Sequence, residues 1–68
     1  MRGVSSKRLR NVALAVLDDD EREALALRSV GWSYREIADK QAVSSSTAHA
    51  RVVRAALKMR RMLDDQKA

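Results

Sequence analysis

The chain has 68 residues, no cysteine, no proline and a formal net charge of +5. That length allows one domain with one small core, marginal enough that DNA, a second copy or a larger partner would add stability. The lack of thiols excludes disulfides and thiolate metal sites, with a reducing cytoplasm as the default compartment. No apolar run approaches the ~20 residues of a membrane span. The basic start and the short apolar stretch 12–17 that meets acids do not read as a signal peptide.

The charges are segregated. Residues 2–10 carry Arg2, Lys7, Arg8 and Arg10; residues 18–23 carry five acids and Arg22. Residues 49–62 carry Arg51, Arg54, Lys58, Arg60 and Arg61 with no acid. Such a basic stretch suits a polyanion or, alternatively, a solvated helix face.

Ala, Leu, Arg, Glu and Lys dominate and no strand alternation occurs, so the expectation is all-α, a four-helix bundle-like single domain over 1–68. Residues 1–5 and 65–68 are expected to fray. The first helix is expected over 6–16, with Leu9, Val12, Ala13 and Val16 inward and Ser5 or Ser6 as its cap. A second, over 19–30, starts after Asp18, whose carboxylate can accept first-turn amides while Glu21 closes a capping box. Acids also suit the positive end of a helix dipole, so the acidic cluster is read as a cap, not a metal or catalytic site. Ala24, Leu25, Leu27 and Val30 are assigned to the core, and Gly31 supplies a left-handed stop.

The third helix, over 34–41, opens with Ser33 and Glu36 in a capping box. Trp32 is placed to staple onto Ile37, a core role rather than a base-stacking one. The fourth, over 45–63, is capped by Ser44. Its apolar stripe is Ala48, Val52, Ala55, Met59, Met62 and Leu63, at spacings of three and four. The methionines read as core fillers.

Two helices joined by a tight turn, the second longer and basic, describe a helix-turn-helix. With Ala48 inward, Ser46, Ala50, Val53 and Arg54 point outward, flanked by Ser45, Thr47, His49 and Arg51. Small residues early in the helix allow its backbone to approach a groove floor.

Gly31-Trp32-Ser33-Tyr34-Arg35-Glu36-Ile37-Ala38 and Val43-Ser44-Ser45-Ser46-Thr47-Ala48-His49-Ala50-Arg51-Val52-Val53-Arg54-Ala55 resemble region four of bacterial sigma factors. Leu17 to Leu25 resembles that family's second-helix opening, and Met59 and Leu63 its closing positions. LuxR-type domains share much of the pattern, but Arg51 and Arg54-Ala55 fit the sigma pattern better. The resemblance implies a double-stranded DNA partner. Thr47 would bond a phosphate, and His49, Ala50, Val53 and Arg54 would face bases. Arg51 would contact the backbone or brace the fold, and Tyr34 and Arg35 would touch phosphates. Ser45, Ser46 and Lys58 complete the candidate DNA-binding set. Arg54 is the candidate for bidentate guanine readout.

Gln41 stands where the resemblance expects Leu, and Ala42 where it expects Gly. Ala in a left-handed conformation costs about 1 kcal/mol, which predicts a reshaped turn. The other domains of a sigma factor, and the aromatic residues that melt DNA, are not in the sequence, so a stand-alone module is expected. Leu57 points away from Ala48, which suggests contact with a second copy or another protein; a homodimer would pair half-sites. The expected function is sequence-specific DNA binding by a small transcriptional regulator, of phage, plasmid or other mobile origin, cytoplasmic and on the nucleoid when bound. The alternatives are a replication-origin binder and an adaptor or decoy that docks on RNA polymerase, as region-four domains do. An enzyme is not expected: there is one His, no Cys, no glycine-rich phosphate loop and no nucleophile–base pair, and no cofactor is implied.

Overall fold

The computed structural model describes the backbone of residues 6–67 and the side chains of residues 10–64. Among the described residues the chain forms α1 (Ser6–Val16), α2 (Asp19–Ser29), α3 (Tyr34–Gln41) and α4 (Ser45–Lys67), with no strand. The all-α expectation holds. The central helix is α4, and α1, α2 and α3 all pack on it.

In α1, Val12 is buried and Ala13 and Val16 are half-buried. The side chains of Leu9 and of the expected caps Ser5 and Ser6 lie outside the described residues. Leu17, not among the expected core positions, is buried just past the helix end, its amide bonded to Ala13 O at 3.0 Å.

Helix α2 opens on a complete capping box. The Glu21 amide donates to Asp18 Oδ1 at 2.8 Å, and the Asp18 amide donates to Glu21 Oε1 at 3.1 Å. The helix ends at Ser29, one residue before the expected limit, and Val30 is its cap. Val30 is 75% exposed rather than in the core. The cause is local: Gly31, at φ 105°, turns the chain back, and Trp32 rather than Val30 packs against the core.

Ser33 and Glu36 form the capping box of α3, with bonds of 2.8 and 3.1 Å. Its C-cap is Ala42, left-handed at φ 57° and ψ 44°. The Ala42 amide donates to Asp39 O at 3.3 Å and the Val43 amide to Ala38 O at 3.0 Å. This is the Schellman pattern. The turn is therefore not reshaped: Ala accepts the conformation that Gly would take freely, at a cost of about 1 kcal/mol.

The core cluster is Ala24, Ile37, Ala38, Ala48 and Val52, flanked by Leu25, Leu27, Trp32, Tyr34 and Val43. Four of its five buried members come from the short residues Ala and Val, so the helices cross closely. Ile37 is fully buried, a contribution of about 1.5–3 kcal/mol. Along α4 the burial follows the expected stripe, complete at Ala48, Val52 and Ala55 and partial at Met59, Met62 and Leu63. The helix does not stop at 63 but continues to Lys67, a run of 23 residues and about 34 Å. No glycine or proline interrupts it.

Candidate nucleic-acid interface

Ser44 opens α4. Its Oγ accepts the Thr47 amide at 3.1 Å and donates to Thr47 Oγ1 at 3.1 Å. The Thr47 hydroxyl proton thus remains available to donate outward, beside the first-turn amides of Ser45 and Ser46, which have no intrahelical acceptor. All three residues are exposed. Opposite the buried Ala48 and Val52, the side chains of Ala50, Val53 and Arg54 are exposed. Among the described side chains, none forms an ion pair with Arg54 or Arg35. Two methyl-sized or short apolar side chains and one extended guanidinium form a surface that an edge of base pairs could approach.

The start of α3 meets the start of α4 through an aromatic contact. The Tyr34 and His49 rings meet edge-on, with centroids 4.8 Å apart. The Arg28 guanidinium covers the Tyr34 ring at 4.5 Å and donates to Trp32 O at 2.9 Å. Tyr34 thus makes two contacts, a cation–π contact with Arg28 and an edge-on contact with the His49 imidazole. Arg28 was not among the sequence candidates, because it belongs to the preceding helix and nothing in its spacing marks it. Arg35 is exposed beside this cluster.

Two of the candidates face the other way. Arg51 is directed at α2 and α3: its Nη1 donates to Gln41 Oε1 at 2.8 Å, and its Nη2 lies 3.6 Å from Asp20 Oδ2. Of the two roles the resemblance left open, this geometry matches the brace. Lys58 donates to both oxygens of Glu21, at 2.9 and 3.0 Å. Its charge is directed to a carboxylate that is only 2% exposed. The structure thus gathers Tyr34, Arg35, Ser45, Ser46, Thr47, His49, Ala50, Val53 and Arg54 around the start and outer face of α4, and separates Arg51 and Lys58 from them.

The acidic cluster has structural partners. Asp18 caps, Asp19 pairs with Arg22, Asp20 with Arg51, Glu21 with Lys58 and Glu23 with Lys40 at 3.5 Å. The Lys58 hydrogen bond, opposed by burial, holds the Glu21 carboxyl below its ordinary range. The Gln41 hydrogen bond does the same for Glu23. The Ser33 backbone amide lowers Glu36. Glu21, Glu23 and Glu36 are therefore each favoured in the charged form by a donor supplied within the fold.

An apolar groove of about 700 Å³ opens between α1, α2 and the later part of α4. Leu17, Leu25, Met59 and Leu63 line it, with Arg10 and Arg60 among its polar neighbours.

Comparison with known protein families gives a match to sigma-70, region 4, over residues 11–59. The chain belongs to that family. As a region 4 domain it is a helix-turn-helix module of the kind that binds DNA in transcription, and the match spans α2, the turn and the outer face of α4 described above. Residues 60–67 of α4 continue beyond it. No curated protein and no solved structure matches the chain. Among its described residues, no helix is long and apolar enough to cross a membrane.

Proposed function

We propose that this region 4 domain is a sequence-specific reader of duplex DNA that acts as a small transcriptional regulator, with the first three turns of α4 in the major groove. The observation that carries this reading is the polarity of α4: Ala48 and Val52 are buried, while Ala50, Val53 and Arg54 stand outward, with no ion partner for Arg54 among the described residues. Thr47, the first-turn amides, Tyr34 and Arg35 would hold phosphates on either side. Arg54 would read a guanine. His49, held against Tyr34, would approach a base or the adjoining phosphate. Selection of bound sequences from a random duplex pool tests the reading. A defined site, with affinity that falls steeply as salt rises, supports it; recovery of no preferred sequence would end it.

Arg35→Ala separates backbone contact from base reading. It should weaken all duplexes alike and reduce the slope of log affinity against log salt by about 0.9.

A single module covers one half-site, so we also propose that two copies act together on DNA. Leu57, 56% exposed on the outer side of α4 beyond Arg54, supports a contact between copies. A palindromic selected site and a dimer in sedimentation would bear this out. A monomer at high micromolar concentration, both free and on the selected duplex, would refute it.

A second reading, docking on RNA polymerase as an adaptor or decoy, is favoured by the apolar groove against α1, which the DNA-reading face does not use. It predicts polymerase binding that survives Arg54→Ala and is lost in Leu63→Glu.

A further inference from the structure

Gln41 occupies a position that no DNA-reading argument uses. It is the last residue of α3, immediately before the left-handed Ala42. Its side-chain amide engages two other helices at once. Nε2 donates to the Asp20 carbonyl and to Glu23 Oε1, both at 3.0 Å, and Oε1 accepts from Arg51 Nη1 at 2.8 Å. The orientation of the amide has one solution. A guanidinium only donates, while a carbonyl and a carboxylate only accept, so a flipped amide would oppose like groups at every contact.

Apart from the edge-on Tyr34–His49 contact at the helix starts, the packing between α3 and α4 is apolar: Ile37, Ala38, Ala48 and Val52. Such contacts hold helices together but resist sliding and rotation weakly, because dispersion is non-directional and alanine offers little interdigitation. Hydrogen bonds are directional. The chain Glu23–Gln41–Arg51–Asp20 is therefore suited to fix the rotation of α4 about its own axis. It acts at Arg51, the turn that separates Ala50 from Arg54.

We propose that Gln41 is a positioning residue for the recognition helix: through Arg51 it sets the rotation of α4 and keeps that guanidinium off the DNA. The proposal rests on the DNA-reading function and deepens it, since it assigns specificity to a residue outside the interface. It also distinguishes Arg51, 21% exposed and clamped, from Arg54, three residues further on, exposed and without an ion partner among the described residues.

The experiment uses the full chain with Gln41→Leu, Arg51→Met and the double variant. Its first arm needs no DNA. Amide chemical shifts in Gln41→Leu should move throughout residues 45–54 and stay in place in α1, and hydrogen–deuterium exchange should show the domain still folded. Shifts confined to the immediate neighbours of Gln41 would overturn the proposal. The second arm measures affinity for the selected duplex and for a scrambled one at several salt concentrations. Each single variant should lose about tenfold for the selected duplex and little for the scrambled one. The double variant should be no worse than either single, with the salt slope unchanged throughout. A general loss of folding would weaken both duplexes equally and so would not mimic this pattern. Multiplying losses in the double variant, or a salt slope lowered by about 0.9 in Arg51→Met, would put Arg51 on a phosphate and refute the clamp. If the wild-type chain proves to have no preferred duplex, the DNA-reading function fails, and the first arm still decides whether Gln41 sets the helix.

Discussion

The two flanks of α4 carry cations of the same kind with opposite employment. On the flank toward α2, Arg51 and Lys58 end on Asp20, Gln41 and Glu21. On the outer flank, Arg54 has no ion partner among the described side chains and Ala50 and Val53 leave the helix backbone open. A basic segment therefore does not translate into a count of phosphate contacts. Part of the positive charge of this helix neutralises the acidic opening of α2, and only the remainder is available to a polyanion.

The largest effect that could break this comparison is expected at Lys58. Lys58→Met leaves Glu21 buried without its cationic partner, with the Asp18 amide as its remaining donor. The 41% exposure of Lys58 limits the penalty below that of a fully buried pair, which gives a loss of about 2–3 kcal/mol in urea unfolding. The salt slope of DNA binding should not change. Unchanged stability with a reduced slope would move Lys58 to the outer flank. Acid sharpens the same test. The folded pKa of Glu21 lies below the ordinary 4.5, so the stability it contributes is present above that pH and disappears as pH falls through the folded value. The difference between wild type and Lys58→Met should accordingly narrow in unfolding curves taken at progressively lower pH.

The mirror experiment is Arg54→Ala. It should leave the thermal midpoint alone and lower affinity for the preferred duplex by about 1–2 kcal/mol, with base preference relaxed at one position. Equal binding with an unchanged preferred site would show that α4 is rotated away from the proposed face. A smaller effect separates the turn from both flanks. Ala42→Gly should raise stability by up to about 1 kcal/mol in urea unfolding, because glycine adopts the left-handed conformation without strain. DNA preference should stay as it was. A destabilised Ala42→Gly would mean that the added freedom of the unfolded chain outweighs the relieved strain.

Legibility in the sequence followed the range of the interactions. Both capping boxes, the left-handed Gly31 and the Ala48–Val52–Ala55 stripe were readable because each depends on residues within one or two turns. Val30 departs from the expected core because helical periodicity runs one residue past the point where the chain reverses. Lys58 is a candidate by sequence because it follows Arg54 by one turn, and its pairing with Glu21 is not legible there because that partner lies 37 residues earlier. Gln41 stood out only as a departure from the family pattern, with no hint of what the polar group would meet.

The amino-acid order by itself determined that this chain makes four helices, where three of them begin, and which residues of the last one turn inward. Those features follow from hydrogen-bond capping and from a 3.6-residue period, both of which act along the chain. Only the tertiary structure decided which cations are paired among the described residues. Charge pairing depends on distance through space, and the approach of α2 to α4 brings Asp20 and Glu21 to Arg51 and Lys58 while leaving Arg54 to the solvent.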